Sequence, residues 1–289
     1  MYPAIVEWLR AGPLPWLALL VPKPGLLYAV VMLACGAVFV RRVRRTGVDG
    51  DHALEALLFA GVGALIGTRA FYVITRTRFW ELSPAQLIDG RLGTASWGAY
   101  LGGFIGLILY ARWRKYRALV LTDAATSAAP LACVIGRWNC LIAGDDFGRV
   151  TTAWWGIRYP AGSLAWNAHR RAGLIGPDAA WSMPVHPNQV VQSLTSLVVF
   201  VIVSAYWNRH RDQPGRTTAV YLMLYGSTRF FVEFLRDPAA GGAVGLLSHS
   251  QYMCLAFVVA GTVVWWWQRR HMNAEGRPAS LSAAGAHPG

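Results

Sequence analysis

Charge is what this sequence lacks. Only 14% of its 289 residues are charged, against 55% hydrophobic. A soluble domain of this length carries far more charge, so an ordinary water-exposed fold is excluded. Acidic residues are the scarcest: 14 Asp and Glu face 27 Lys and Arg, a net charge of +13 that is almost entirely arginine. In a soluble chain that excess would point to nucleic acid. Here the arginines cluster between apolar runs, so membrane topology accounts for them and no nucleic-acid partner is expected. The four cysteines, Cys35, Cys133, Cys140 and Cys254, lie in or beside apolar runs. Without a CxxC or a Cys–His spacing they exclude a disulfide framework and a zinc site, and read as small apolar core residues. No metal and no cofactor is expected. The start, "MYPAIVEWLRAGPLPW", lacks a basic stretch ahead of a short apolar one, so a first span serving as its own insertion signal is expected rather than a cleaved leader.

What the chain has is seven apolar segments, at about 24–41, 54–75, 96–112, 119–141, 188–207, 217–236 and 249–268. Each is near the ~20 residues that cross ~30 Å of hydrocarbon. Residues ahead of Pro22, with Trp8, Arg10 and Trp16, read as a short helix lying at the interface. Arginine then sets orientation. Arg41, Arg42, Arg44 and Arg45 follow the first span; Arg112, Arg114, Lys115 and Arg117 the third; Arg209, Arg211 and Arg216 the fifth; Arg269 and Arg270 the seventh. Every second connection is basic, which puts the N-terminus outside and the C-terminus in the cytoplasm. The expected fold is an all-α polytopic membrane protein with seven transmembrane helices. Residues 1–271 form one integral membrane domain, with a small outer-surface head loop at about 143–187. Residues 272–289 form a disordered cytoplasmic tail. The outer segments are then 76–95, 143–187 and 237–248, the middle one carrying Trp154, Trp155, Tyr159, Trp166 and Trp181.

Arg69, Arg137 and Arg229 lie inside spans. An arginine at mid-helix costs about 2.5–3.5 kcal/mol on insertion scales, so these are expected to face a shared polar interior. In "YGSTRFFVEFLRDP", Glu233 is four residues after Arg229 and three before Arg236, which places the three on one helix face. Glu233 pairs with one arginine and leaves the other for an anion. A phosphate is the natural ligand, because a guanidinium fork contacts two of its oxygens at once. An internal salt bridge with no chemistry is the competing reading. The glycine-rich runs "GVGALIG" (61–67) and "SWGAYLGGFIG" (96–106) read first as close helix packing, second as room for an acyl chain. His186, before Pro187 at the mouth of the fifth span, reads as an interfacial histidine, with a base or lipid-contact role as the alternative.

The ordered motifs resemble the bacterial prolipoprotein diacylglyceryl transferases over about Ala53 to Pro238. "GRWNCLIAGDDFGR" (136–149) is similar to that family's GR-x-GN-F-x-N-x-E-x-x-G-R signature, with Gly136, Arg137, Gly144, Gly148 and Arg149 in register. "GTRAFYV", with Arg69 and Tyr72, looks like its GGRxGYV. "HPNQ" (186–189) looks like its HPSQ, and "YGSTRFFVEFLRDP" (225–238) like its GYGxFRxxVEFxRxPD. Asp123 and Pro130 match a family aspartate and proline. There are departures. Asp145 stands at the family's glutamate. Cys140 stands at its signature asparagine, with Asn139 one residue earlier. Trp97 stands at a histidine, Val191-Gln192 at a Tyr-Glu, and Pro24-Gly25 at a Trp-Tyr-Gly. The resemblance therefore describes a divergent member.

What the resemblance implies is an enzyme of the bacterial plasma (inner) membrane. It would transfer a diacylglyceryl group from phosphatidylglycerol to the lipobox cysteine thiol of a prolipoprotein, giving a thioether and glycerol phosphate. Its partners are phosphatidylglycerol, the prolipoprotein signal peptide with its lipobox, and the surrounding membrane lipids. Arg137 and Arg229 are expected as the catalytic pair. Arg137, Arg229, Glu233, Arg236, Asp145, Asn139, Arg69 and His186 are expected to bind phosphatidylglycerol. A catalytically altered relative that binds phospholipid or prolipoprotein, and a transporter of an anionic lipid, are the alternatives. Both use the same intramembrane arginines.

Overall fold

The computed structural model describes residues 24–76, 96–238, 243–244 and 246–274. Eight α-helices lie among them: α1 (Pro24–Arg44), α2 (Gly50–Arg76), α3 (Ser96–Trp113), α4 (Ala118–Ala143), α5 (Leu164–Arg171), α6 (Asn188–His210), α7 (Arg216–Val232) and α8 (His249–Ala274). A 3-10 turn at Glu233–Leu235 closes α7, and a two-stranded hairpin joins β1 (Ala243–Val244) to β2 (Leu247–Ser248). Every one of the seven apolar segments is helical. The eighth helix, α5, falls within 143–187, where the sequence reads as a loop. The expected interfacial helix before Pro22, residues 77–95 and the tail from 275 lie outside the described residues; α8 itself continues to Ala274.

Four helices are long and apolar enough to cross a membrane: Gly50–Thr75, Ala118–Ala143, Asn188–His210 and His249–Arg270, with 22 to 26 residues each. That is about 33–39 Å of helix. Seven were expected; α1, α3 and α7 fall outside this set, the last two for local reasons. α7 has 17 residues, because the backbone tightens into the 3-10 turn at Glu233. α3 has 18, several of them glycine.

The helices are polar within and apolar outside. On α6, Asn188, Gln189, Gln192, Ser193 and Ser196 are buried, while Leu194, Leu197, Val198 and Val201 are exposed. α2 likewise exposes Leu58, Val62, Leu65 and Ile66. In water this arrangement would leave large apolar faces uncovered; in lipid those faces are solvated by acyl chains, and the polar side chains must find partners inside.

The chain forms two compact units. One comprises Gly36–Ser127, Tyr206–Thr218 and Val264–Gly289. There α2 and α3 touch backbone to backbone. A Cβ built on Gly67 would lie 2.2 Å from the Gly98 carbonyl oxygen, and one on Gly102 would lie 2.0 Å from that of Gly63. Only glycine permits such an approach, so the glycine-rich runs are packing surfaces. Beside them Arg114 and Tyr110 both donate to the Glu55 carboxylate, at 2.7 and 2.9 Å. Asp123 is buried on α4 and accepts from Gly215 N (2.7 Å), Thr218 N (2.7 Å) and Thr218 Oγ1 (2.6 Å). The first turn of α7 has N–H groups with no intrahelical acceptor; this carboxylate supplies one from another helix and offsets the helix dipole.

The other unit comprises Met1–Cys35, Ala128–Ala205 and Ala219–Val263. Within it residues 144–187 have a small core of their own. Phe147, Tyr159, Ala165, Ala168 and Val185 form it, with Ile157 packed against them. Isolated β-bridges tie Val150 and Ile157 to Val185, and Pro160 to Trp181. Ser163 caps α5 by accepting from Trp166 N. α7 and α8 meet through Gly226, whose Cβ would lie 2.8 Å from the Cys254 carbonyl oxygen, and Gly261, at the same distance from that of Ala219.

Candidate functional site

The site begins where α4 ends. Gly144 adopts φ +75° and Asp146 φ +52°. Gly144 N and Asp145 N both donate to the Cys140 carbonyl, at 2.9 and 3.2 Å, closing the helix. Two left-handed residues so close together turn the chain sharply, and aspartate is among the few non-glycine residues that tolerate this conformation. α6 holds the turn. Gln189 Nε2 donates to the Asp145 carbonyl at 2.6 Å, and Asn188 Nδ2 to that of Asp146 at 3.3 Å. The polar pair of "HPNQ" therefore clamps the backbone of the signature segment.

Residues 147–149 then run between two flanking segments. Gly148 N donates to the His186 carbonyl (3.1 Å), and His186 N to that of Arg149 (3.0 Å). On the other side Arg149 N donates to the Leu235 carbonyl (2.9 Å), and Asp237 N to that of Phe147 (3.1 Å). A Cβ on Gly148 would meet the His186 oxygen at 2.5 Å and the Leu235 oxygen at 2.9 Å. The glycine is what allows the three segments to lie side by side, and so brings residues 137–149 against 229–237.

The charged side chains there form one alternating series. Arg137 pairs with Asp146, Asp146 with Arg236, Arg236 with Glu233 at 3.1 Å, and Glu233 with Arg229. All five are mostly buried, with side-chain exposures from 3% for Glu233 to 22% for Asp146. Burial alone would push the Asp146 carboxyl up; the Arg137 and Arg236 guanidiniums outweigh it and hold it below the usual carboxylate range. Ser248 Oγ donates to Glu233 at 3.1 Å. That serine also caps α8: its Oγ accepts from Gln251 N, and its own N–H donates to Gln251 Oε1. This reciprocal capping box delivers a hydroxyl to the site as it starts the helix. A cleft of about 140 Å³ opens over this end of the series, bounded by Arg149, Glu233, Arg236, Leu247, Ser248 and Gln251.

The structure brings together four of the expected residues, Arg137, Arg229, Glu233 and Arg236. Asp145 and Asn139 lie in the same segment. Asn139 is buried on α4, and its Oδ1 has no hydrogen-bond partner among the described residues. Asp145 stands beside the series but forms no ion pair among the described residues. His186 accepts from Trp155 Nε1 at 3.2 Å on its Nδ1. An indole N–H is only a donor, so Nδ1 is the unprotonated nitrogen and Nε2 carries the proton. Arg69 belongs to α2 in the other compact unit, as does Trp97 on α3. Cys140 Sγ lies 4.0 Å from Arg137 Nη1. Two expectations change. Glu233 does not leave one arginine aside; it holds both Arg229 and Arg236. The carboxylate joining the two halves of the site is Asp146, which sequence reasoning missed. With it, three cations face two carboxylates, an excess of one.

Residues 19–267 match the family model described as prolipoprotein diacylglyceryl transferase. The chain belongs to the prolipoprotein diacylglyceryl transferase family. It is 30% identical over 243 residues to phosphatidylglycerol–prolipoprotein diacylglyceryl transferase 2 of Clostridium perfringens, covering 83% of this chain and 88% of that one. It is 32% identical over 261 residues to the enzyme of that name from Paracidovorax citrulli, covering 84% and 91%. The match to the Paraburkholderia phymatum enzyme is 30% over 287 residues, covering 90% and 92%. Family membership spans both compact units and the whole ion-pair series, so its chemistry is to be sought in these residues.

Proposed function

We propose that this protein transfers a diacylglyceryl group from phosphatidylglycerol to the lipobox cysteine of a prolipoprotein, releasing glycerol phosphate. The observation that carries the reading, beside the family, is the buried series Arg137–Asp146–Arg236–Glu233–Arg229. Arg137 and Arg229 stand at its two ends. Each commits Nη1 to a carboxylate, and a guanidinium has five N–H donors, so both retain donors for phosphate oxygens. The carboxylates fix their rotamers before substrate arrives. As the glycerol C–O bond breaks, negative charge grows on the leaving phosphate. Donors already in place stabilise that charge more than they stabilise the ground state. Arg236 and Glu233 hold the frame, and Asn139, Asp145 and His186 surround the head group.

In this reading seven helices cross the bacterial inner membrane, with the N-terminus out and the C-terminus in the cytoplasm. The head at 144–187 rests on the outer face, where a translocated lipobox and an outer-leaflet head group meet. The polar-inside helices and the basic connections after α1, α3, α6 and α8 support that orientation.

The test is thioether formation on labelled prolipoprotein with phosphatidylglycerol vesicles and purified protein. Arg137→Ala and Arg229→Ala should each lose at least 100-fold in turnover while inserting at normal level. Arg229→Lys should recover little, because a point charge does not reproduce the planar fork. A variant at either position with most of its activity would remove that residue from the catalytic pair. Lipid movement without a thioether would point to transport, and lipid or peptide binding without turnover to an altered relative.

A further inference from the structure

Besides Asp237 on the cleft wall, three carboxylates lie on the ion-pair series or next to it, and two of these are fully committed. Asp146 holds Arg137 and Arg236; Glu233 holds Arg229 and Arg236. Asp145 holds none of them. Its backbone is fixed from both sides, by its own N–H on the Cys140 carbonyl and by Gln189 on its carbonyl. Its Oδ1 is shut away from water with no hydrogen-bond partner among the described residues, while the residue as a whole is only half-buried. A carboxylate oxygen buried without a donor is a strong base, because ionisation there is not repaid by solvation. Burial first, and then the charge of Asp146, pushes the Asp145 carboxyl up, with Arg137 and Arg236 opposing.

We propose that Asp145 is the general base that takes the proton from the substrate thiol. This rests on the transferase reading. That reaction needs such a group, since a thiol of pKa about 8.5 is mostly protonated at neutral pH. The neighbouring His186 and Tyr159 are less suited. His186 uses its basic nitrogen to accept from Trp155. Burial pushes the Tyr159 phenol up, so it ionises poorly. The Asp145 carboxylate takes the S–H proton, and the sulfur electron pair forms the C–S bond at the terminal glycerol carbon. The C–O bond to phosphorus's oxygen breaks, and its electrons leave on glycerol phosphate between Arg137 and Arg229. Asp145 then returns its proton to that phosphate. The charged groups facing the carboxylate are Arg137 on α4, Asp146 in the turn and Arg236 after the 3-10 turn; the titratable ones are Cys140 and Tyr159.

The experiment uses full-length protein, phosphatidylglycerol vesicles and two lipobox peptides, one with cysteine and one with selenocysteine. A selenol is ionised at neutral pH and needs no base. Asp145→Asn should lose about 100-fold or more in kcat on the cysteine peptide. It should return to within about tenfold of the unmodified protein on the selenocysteine peptide. The unmodified protein should lose rate as pH falls, with a midpoint above the usual carboxylate range, and Asp145→Asn should lack that limb. Equal slowing on both peptides would make Asp145 merely structural, and unimpaired turnover on the cysteine peptide would also overturn the assignment. No transfer by the unmodified protein on either peptide would instead sink the transferase reading, and this assignment with it.

Discussion

Asp146 and Asp145 differ by one position and do different work. Asp146, in a left-handed conformation, turns its carboxylate onto Arg137 and Arg236; Asp145 keeps its own apart from every arginine. Breaking a buried ion pair by removing one partner costs about 3–5 kcal/mol, because the other charge is left without compensation. Asp146→Ala strands two arginines at once. It should lower the unfolding midpoint in detergent and reduce transfer at least 100-fold, whereas Asp145→Asn should leave the midpoint close to that of the unmodified protein. Equal midpoints for the two variants would show that Asp146 does not hold the series together. The cations were legible in the sequence: arginines inside apolar spans are conspicuous, and the spacing of Arg229, Glu233 and Arg236 announces a cluster. The spacing argument reached the right partners by a different backbone. Arg236 meets Glu233 across a 3-10 turn, where residues three apart align, not along a continuing α-helix. Asp146 was not legible. Both aspartates fit the signature, and the backbone rotation that selects between them leaves no mark in residue spacing.

At the scale of elements, the closest contact is α2 on α3. Gly102 sits with its would-be Cβ 2.0 Å from a carbonyl oxygen of the facing helix, and backbone cannot yield as a side chain does. Overpacking a core typically costs about 1–3 kcal/mol when side chains can shift. Gly102→Leu should cost at least that, read as a lower melting temperature in detergent and a smaller folded yield. Gly61 on the same helix pair is the control, since a Cβ there would meet nothing within 4 Å. Gly61→Ala should leave melting unchanged or raise it slightly, by helix propensity. If Gly61→Ala were as damaging as Gly102→Leu, the α2–α3 interface would lie on another face. The long helices were readable from apolar length and the glycine contacts from small-residue runs. The head was not. Its core draws Phe147, Tyr159 and Val185 from segments joined only by isolated bridges, too short to show any period, and α5 has only eight residues.

At the scale of the whole molecule, the four basic connections share one compact unit. The basic connections at 41–45, 112–117, 209–216 and 269–270 all fall in the unit made of Gly36–Ser127, Tyr206–Thr218 and Val264–Gly289. The head and the ion-pair series fall in the other. The orientation expected from the arginines is a matter for labelling, not for packing. Trp154 is 91% exposed on the head, and Arg211 is exposed in the α6–α7 connection. Single cysteines placed at these two positions, with the native four replaced by serine, give a direct reading. In intact spheroplasts a membrane-impermeant maleimide should label Trp154→Cys and spare Arg211→Cys until the membrane is opened. The reverse pattern would invert the molecule. It would put the arginine series at the cytoplasmic face, where a translocated lipobox does not arrive, and the proposed transfer would have to be abandoned in favour of an activity on the inner leaflet.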